Sequence, residues 1–134
     1  MSDRPLPVPD AATAPYWDAA RAGRLAMPRC LDCGQMHFYP RTLCPGCGSE
    51  RLEWAECSGA GTIYSFTVMH RAPSPAFAAD VPYVVAVIAL AEGPRLMSRI
   101  DGCAPDAVRI GANVRAAFRA VSAEISLPVF ELSD

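Results

Sequence analysis

The sequence contains no lysine; all 12 of its basic Lys/Arg positions are arginine. Schiff-base chemistry, a pyridoxal anchor and a phosphate loop of the G-K-[ST] kind each need a lysine amine, so all three are excluded. Histidine is almost as scarce. With only His37 and His70 present, a three-histidine zinc site cannot be built and little remains for general acid–base work. Long apolar runs are missing too: the longest, Tyr83 to Ala91, is about half of the ~20 residues that span a bilayer. The segment Met1 to Asp10 is proline-rich, carries Asp3, Arg4 and Asp10, and has no apolar stretch behind it of the secretory type. A cytoplasmic location is therefore the expectation. Charge is thin at 19%, below the roughly 25% of average soluble chains. Against these deficits stand 51% hydrophobic residues in 134 positions, enough for one packed domain or two small modules that share an interface.

Along the chain, residues 1–24 read as an arm followed by a helix. Pro5, Pro7 and Pro9 at alternate positions give an extended, polyproline-like lead with no core to join, which predicts a mobile arm. A helix starts near Pro15, with Thr13 or Ala14 as cap, and ends at Gly23. Its stripe of Tyr16, Trp17 and Ala20, continued by Leu25, needs an apolar surface, either in the same chain or on a partner. Residues 25–56 contain two cysteine pairs among short strand-like pieces. From residue 57 to 134, β-branched and aromatic residues gather in five runs: Thr62 to Arg71, Pro82 to Leu90, Arg95 to Ile100, Asn113 to Val121 and Ile125 to Leu132. Glu92-Gly93-Pro94 marks a tight hairpin, whereas Ala72 to Val81 is a long first connection. Five strands with a long third connection suit a small closed barrel of the OB type, in which closure removes the sheet edges.

The strongest local signal is Cys30-Leu31-Asp32-Cys33-Gly34 and Cys44-Pro45-Gly46-Cys47-Gly48, which together form C-x2-C-x10-C-x2-C. Two residues between cysteines let both sulfurs of one tight turn point at a single ion, and Gly34 and Gly48 permit the backbone that such turns require. Four thiolates at ~2.3 Å complete a tetrahedron around Zn2+ and leave no position for water, so the site is structural. Iron would take the same ligands, and a disulfide reading needs an oxidising compartment that nothing in the sequence supports. A short hairpin through Phe38 and Tyr39 would span the ten intervening residues, and His37 would lie at the surface. Cys57 and Cys103 fall outside the pattern and read as small buried apolar residues.

Zinc ribbons and OB barrels both occur in nucleic-acid binders, and Tyr64, Phe66 and His70 alternate as a stacking platform would. Charge argues against that alternative. Residues 52–134 carry six arginines against nine acids, an electrostatic deficit toward phosphate. No nucleophile–base pair, open metal position or pair of carboxylates at helical spacing stands out, so no catalytic residue is assigned.

The order Pro-Tyr-Trp, Gly-Arg-Leu, Cys-x-x-Cys-Gly, Phe-Tyr-Pro-Arg, Cys-Pro-x-Cys-Gly-Ser, Trp54, Ser-Gly-x-Gly-Thr-Ile-Tyr-Ser, Pro-Tyr-Val-Val-Ala and Ile-Gly-x-x-Val resembles the acyl-CoA-associated zinc-ribbon and OB-fold family once labelled domain of unknown function thirty-five. The similarity runs from about Pro15 to Phe130. It implies an N-terminal helix, a rubredoxin-like ribbon held by Cys30, Cys33, Cys44 and Cys47, and a five-stranded OB barrel. It further implies an accessory subunit beside a thiolase-like protein, such as an aldolase of steroid side-chain breakdown, or beside a hotdog-fold enoyl-CoA hydratase, with the chemistry done by the partner in a hetero-oligomer. A coenzyme A thioester needs cations for its phosphates and an apolar channel for its pantetheine arm. Arg29, Arg41, His70 and Arg71, with Phe77 and Tyr83 on the long connection, are the candidates to supply both. That connection, Ala72 to Val81, is expected to cover acyl cargo or dock a partner.

Overall fold

The computed structural model describes residues 4–133, so the first three residues of the arm and Asp134 lie outside the described part. The fold is mainly β, with one N-terminal helix, a two-stranded ribbon and a closed five-stranded barrel. The helix α1, Ala14–Arg21, begins where expected. Thr13 is its N-cap and Pro15 occupies the first turn, where the missing N–H costs nothing. Just ahead of it, Asp10 and Thr13 brace each other: the Thr13 N–H donates to Asp10 Oδ1 at 2.9 Å and the Asp10 N–H to Thr13 Oγ1 at 3.0 Å. The apolar stripe turns inward. Tyr16, Ala19, Ala20 and Leu25 are buried, with the helix lying against the ribbon and the last two barrel strands, so this chain itself supplies the surface that the stripe needs.

Strands β1 (Leu25–Cys30) and β2 (Leu52–Cys57) pair antiparallel without a break, from Leu25 opposite Cys57 to Cys30 opposite Leu52. Everything between them forms the metal-knuckle lobe. The expected hairpin through Phe38 and Tyr39 is not what folds there; an isolated bridge between Arg29 and Met36 is the only ladder contact of this segment among the described residues. Gly34 and Gln35 close the first knuckle, the His37 backbone N–H ties back to Pro28, and Phe38 to Pro40 line a cleft instead of pairing with each other.

The five predicted strands all form, as β3 (Ala60–Met69), β4 (Tyr83–Leu90), β5 (Arg95–Asp101), β6 (Asn113–Ala120) and β7 (Ser126–Leu132). They close in the order β3-β4-β5-β7-β6 and back to β3. One seam, β5 to β7, is parallel and short; the other pairings are antiparallel. A register shift at Tyr64 lets β3 bend enough to pair with both β4 and β6. At Gly61 a Cβ would meet the Ala89 carbonyl oxygen at 2.7 Å, so only glycine lets β3 and β4 approach so closely there.

Inside, Ile63, Ala86, Ile88, Val114 and Phe130 fill the barrel, and the same cluster continues through Cys57, Leu25 and Met27 to Tyr16. Ribbon base, helix and barrel therefore share one core. Burial pushes the Cys57 thiol up to about 11, with the charges of Glu92 and Glu56 adding to the effect, as suits an inert packing residue. Phe130 is 0% exposed at the centre. Phe130→Ala is expected to cost about 3–5 kcal/mol, read as a lower denaturant midpoint with unchanged slope, whereas Met97→Ala, at a side chain 60% exposed, should leave the midpoint nearly where it was.

Candidate metal centre and adjoining groove

The four knuckle sulfurs lie within 4.8 Å of one another. Two contacts cross between the knuckles, Cys30 Sγ to Cys47 Sγ at 3.5 Å and Cys33 Sγ to Cys44 Sγ at 3.7 Å. Tetrahedral ligation at ~2.3 Å per sulfur requires separations of about 3.8 Å, so the donor set suits such an ion with little rearrangement. A disulfide bond of about 2.05 Å does not fit these spacings, and all six cysteines are free thiols. The backbone prepares the charge. In each knuckle the glycine N–H returns to the first cysteine's carbonyl at 2.8 Å, Gly34 to Cys30 and Gly48 to Cys44, with φ of 78° and 79° at the two glycines. That turn aims amide hydrogens at sulfur. The Cys33 N–H, 3.4 Å from Cys30 Sγ, leads in lowering the Cys30 thiol to about 6. Cys44 is likewise lowered, chiefly by the Cys47 N–H and then by that of Gly46. For Cys33 and Cys47 the backbone N–H groups of Gln35 and Ser49 act downward, but burial and the neighbouring sulfurs outweigh them and the thiols rise. Backbone donors thus favour the thiolate at the first sulfur of each knuckle, the form that binds metal.

His37 departs from expectation. It is buried, at 6% exposed, because its N–H donates to the Pro28 carbonyl at 3.2 Å and ties this segment back onto β1. Both ring nitrogens are buried without a hydrogen-bond partner, and burial, helped by the positive charge of Arg41, holds the imidazole below its ordinary value. Beyond it, Phe38, Tyr39 and Pro40 turn toward the barrel.

These three residues form one wall of an apolar cleft of about 460 Å3, closed on the other sides by Tyr16 and Trp17 of α1 and by Leu96, Met97 and Leu127 of the barrel. A second cleft of about 800 Å3 runs between the arm and the barrel, past Leu6, Phe77, Val121, Arg4 and Arg119. Both are lined by Arg99, Leu127 and Val129, so they adjoin as one groove with the Arg99 guanidinium at the junction. The arm is held there. Arg4 stacks 4.5 Å from the Phe77 ring centre, donates to the Ala76 carbonyl at 3.1 Å, and pairs with Asp80 at 2.6 Å, which removes the reason to expect a lead without contacts. Arg99 stacks on Tyr83 at 4.6 Å, donates to Asp80 at 2.7 Å and lies 3.4 Å from Asp101. Arg119 pairs with Asp101 in turn.

Of the residues singled out in the sequence, Phe77 and Tyr83 come together, with ring centres 6.3 Å apart, one stacked under Arg4 and the other under Arg99. The four proposed cations do not join them in this network. Arg29 pairs with Glu53 on the ribbon, Arg41 is exposed beyond the Phe-Tyr-Pro turn, and His70 and Arg71 are exposed where β3 ends. Sequence reasoning missed Arg4, Arg99 and Arg119; the alternation of Arg99 and Asp101 on one strand was the available signal. A stacking platform does not assemble either. Tyr64 sits at the register shift, 53% exposed under Arg95 at 4.0 Å, while Phe66 packs against the core.

Two family descriptions match this chain, "ChsH2, rubredoxin-like zinc ribbon domain" over residues 17–53 and "ChsH2, C-terminal OB-fold domain" over residues 54–119. A probable enoyl-CoA hydratase alpha subunit of Thermomonospora curvata is 39% identical over 127 residues, which is 95% of this chain but 39% of that protein, so the chain spans about two fifths of its length. A DUF35 domain-containing scaffold protein of Methanothermobacter thermautotrophicus is 41% identical over 97 residues, 72% of each chain. Among solved structures, one titled Ltp2-ChsH2(DUF35) aldolase superposes with a TM-score of 0.84 at 38% identity, covering 95% of this chain and 98% of the other. No helix among the described residues is long and apolar enough to cross a membrane.

The Arg4–Asp80–Arg99 contacts predict a pH dependence. A hydrogen bond from Arg99, then that from Arg4, holds the Asp80 carboxyl below its ordinary 3.8 despite the opposing effect of burial. A depressed carboxylate contributes stability that is complete above its unfolded value and lost as pH falls through the folded one. Protease cleavage within the arm should therefore stay constant from pH 7 down to about 5 and rise only below about pH 4; Asp80→Asn should show the raised cleavage at neutral pH and little further change on acidification.

Proposed function

The chain belongs to the ChsH2-type, DUF35 family of rubredoxin-like zinc-ribbon and OB-fold proteins, and from that premise we propose that it is a non-catalytic accessory subunit of an acyl-CoA enzyme in the cytoplasm. Its partner is a thiolase-like aldolase or an enoyl-CoA hydratase, in keeping with the names of the hydratase subunit and the aldolase structure it is similar to. The partner carries the reacting groups. This chain contributes surface and helps to hold the thioester. Cys30, Cys33, Cys44 and Cys47 hold one structural Zn2+, which would cross-link the two knuckles.

The groove is the observation that carries this reading. An acyl thioester of coenzyme A is an apolar chain joined through pantetheine to phosphates, and it asks for an apolar trough that meets fixed cations. Trp17, Tyr39, Met97 and Leu127 offer the trough, Arg99 sits where the two clefts adjoin, and Arg119 lines the second cleft beyond it. Each guanidinium has five N–H donors, more than Asp80 and Asp101 engage, so donors remain for a phosphate. Stacking on Tyr83 and pairing with Asp80 fix Arg99 before any ligand arrives, which limits the entropy lost on binding. Phe77 forms part of the wall of the second cleft and Tyr83 supports Arg99 from beneath, whereas Arg41, His70 and Arg71 are exposed and line neither cleft. Arg29, paired with Glu53, contributes least.

Co-expressed with the thiolase-like or hydratase protein encoded beside it, the chain should co-purify as a complex; a chain that stays apart from every such neighbour overturns the reading. Elemental analysis should return about one zinc per chain, and Cys44→Ser should lose it and unfold the ribbon. Within the complex, Arg119→Ala should weaken acyl-CoA binding about tenfold, as loss of one charge-assisted contact does, while leaving the partner bound.

A further inference from the structure

The two knuckles are near copies of each other. In each, the first cysteine's N–H donates at 2.9 Å to the carbonyl five residues on, Cys30 to Gln35 and Cys44 to Ser49. The residue just before the second cysteine then meets the opposite knuckle. Asp32 in the first reaches Ser49, which follows the second. At the equivalent place Gly46 in the second abuts Gln35, which follows the first. The two meetings differ in chemistry. Gln35 offers Gly46 only the far end of a flexible, exposed side chain.

On the Asp32 side the contacts are specific and linked. Ser49 Oγ donates to Asp32 Oδ2, Arg51 Nη1 donates to Asp32 Oδ1 at 2.6 Å, and the Arg51 N–H donates to Ser49 Oγ at 2.9 Å. The Arg51 carbonyl in turn accepts the Leu31 N–H at 2.8 Å. The segment Ser49 to Arg51, which leaves the second knuckle, thus grips the first by backbone at Leu31 and by side chain at Asp32, and both gripped residues lie between the metal-binding sulfurs Cys30 and Cys33. Exposed ion pairs are weak on their own, and Asp32 and Arg51 are 42% and 68% exposed. Geometry is what the grip supplies. It sets how far apart the two knuckles stand, and hence the cross-knuckle spacings of 3.5 and 3.7 Å.

We infer that Asp32, held by Ser49 and Arg51, is a positioning residue of the metal centre: it clamps one knuckle to the other and slows release of the ion without touching it. This rests on the reading that the four cysteines hold zinc. Groups that orient metal ligands commonly change affinity by 10–100-fold when hydrogen-bonded to a ligand directly; a clamp one step further out should act more weakly.

The test follows zinc transfer from the purified full chain to a colorimetric chelator, and the sulfur-to-metal charge-transfer band of the cobalt-substituted protein. Asp32→Ala should release zinc about three- to tenfold faster and alter the cobalt band, with Asp32→Asn, which keeps an acceptor for Ser49, falling between it and the parent. Arg24→Ala, at an exposed ion pair with Glu56 away from the knuckles, should leave both readouts unchanged. Far-ultraviolet circular dichroism reports the barrel separately, and if Asp32→Ala fails to fold, Asp32→Asn and Arg51→Gln take its place. Release at the parental rate with an unchanged cobalt band in the folded variants would overturn the clamp. A parent chain without metal would instead overturn the zinc reading on which it rests.

Discussion

Four thiol groups drawn within 4.8 Å of one another set the terms for the rest of this molecule. Thiolates at such spacing repel strongly, so the cluster needs a cation, and the lobe around it is too small to hold a core of its own. What the lobe does have is a firm base. β1 and β2 run from the knuckles straight into the shared core at Leu25, Met27 and Cys57. The order at one end of the hairpin comes from sulfur and at the other from hydrophobic burial, and the aromatic turn at Phe38 and Tyr39 is suspended between them.

That suspension creates the groove. The barrel closes its own edges and buries Ile63, Ile88 and Phe130. It gains a trough only because the helix and the ribbon turn stand against its outer side, where Leu96, Leu127 and Val129 meet Trp17 and Tyr39. Along the second cleft, two aspartates hold three arginines in place, and two of those arginines also stack on aromatic rings. A trough that joins apolar walls to oriented guanidinium groups suits an anionic amphiphile better than a nucleic acid, whose affinity depends on excess positive charge over a broad face. The acidic balance of residues 52–134 points the same way.

Much of this was legible in the residues alone, for a physical reason. The cysteine spacing, the helix start at Pro15 and all five barrel strands depend on contacts between near neighbours in sequence: a knuckle turn, a first-turn proline, alternation along a strand. The family followed from the same local pieces in order. Burial of the Tyr16 stripe was half visible, since periodicity shows that a face is apolar without showing what covers it. The fate of His37 was invisible. A polar residue between two knuckles reads as exposed, and only its backbone link to Pro28 turns it inward.

The cation cluster marks the limit most clearly. Arg4 and Asp80 are separated by 76 residues, and Arg99 and Asp80 by 19; no period or motif connects them. Candidates chosen by nearness to the long loop, such as His70 and Arg71, are therefore exposed, while the arginines that meet at the groove come from the arm and from two strands. Sequence by itself determined the paired-cysteine pattern and the positions of the five strands, because local turn geometry and side-chain alternation suffice for both. Which charges converge was decided by barrel closure, since that closure alone brings β5 and β6 together around β7 and seats the arm across their end.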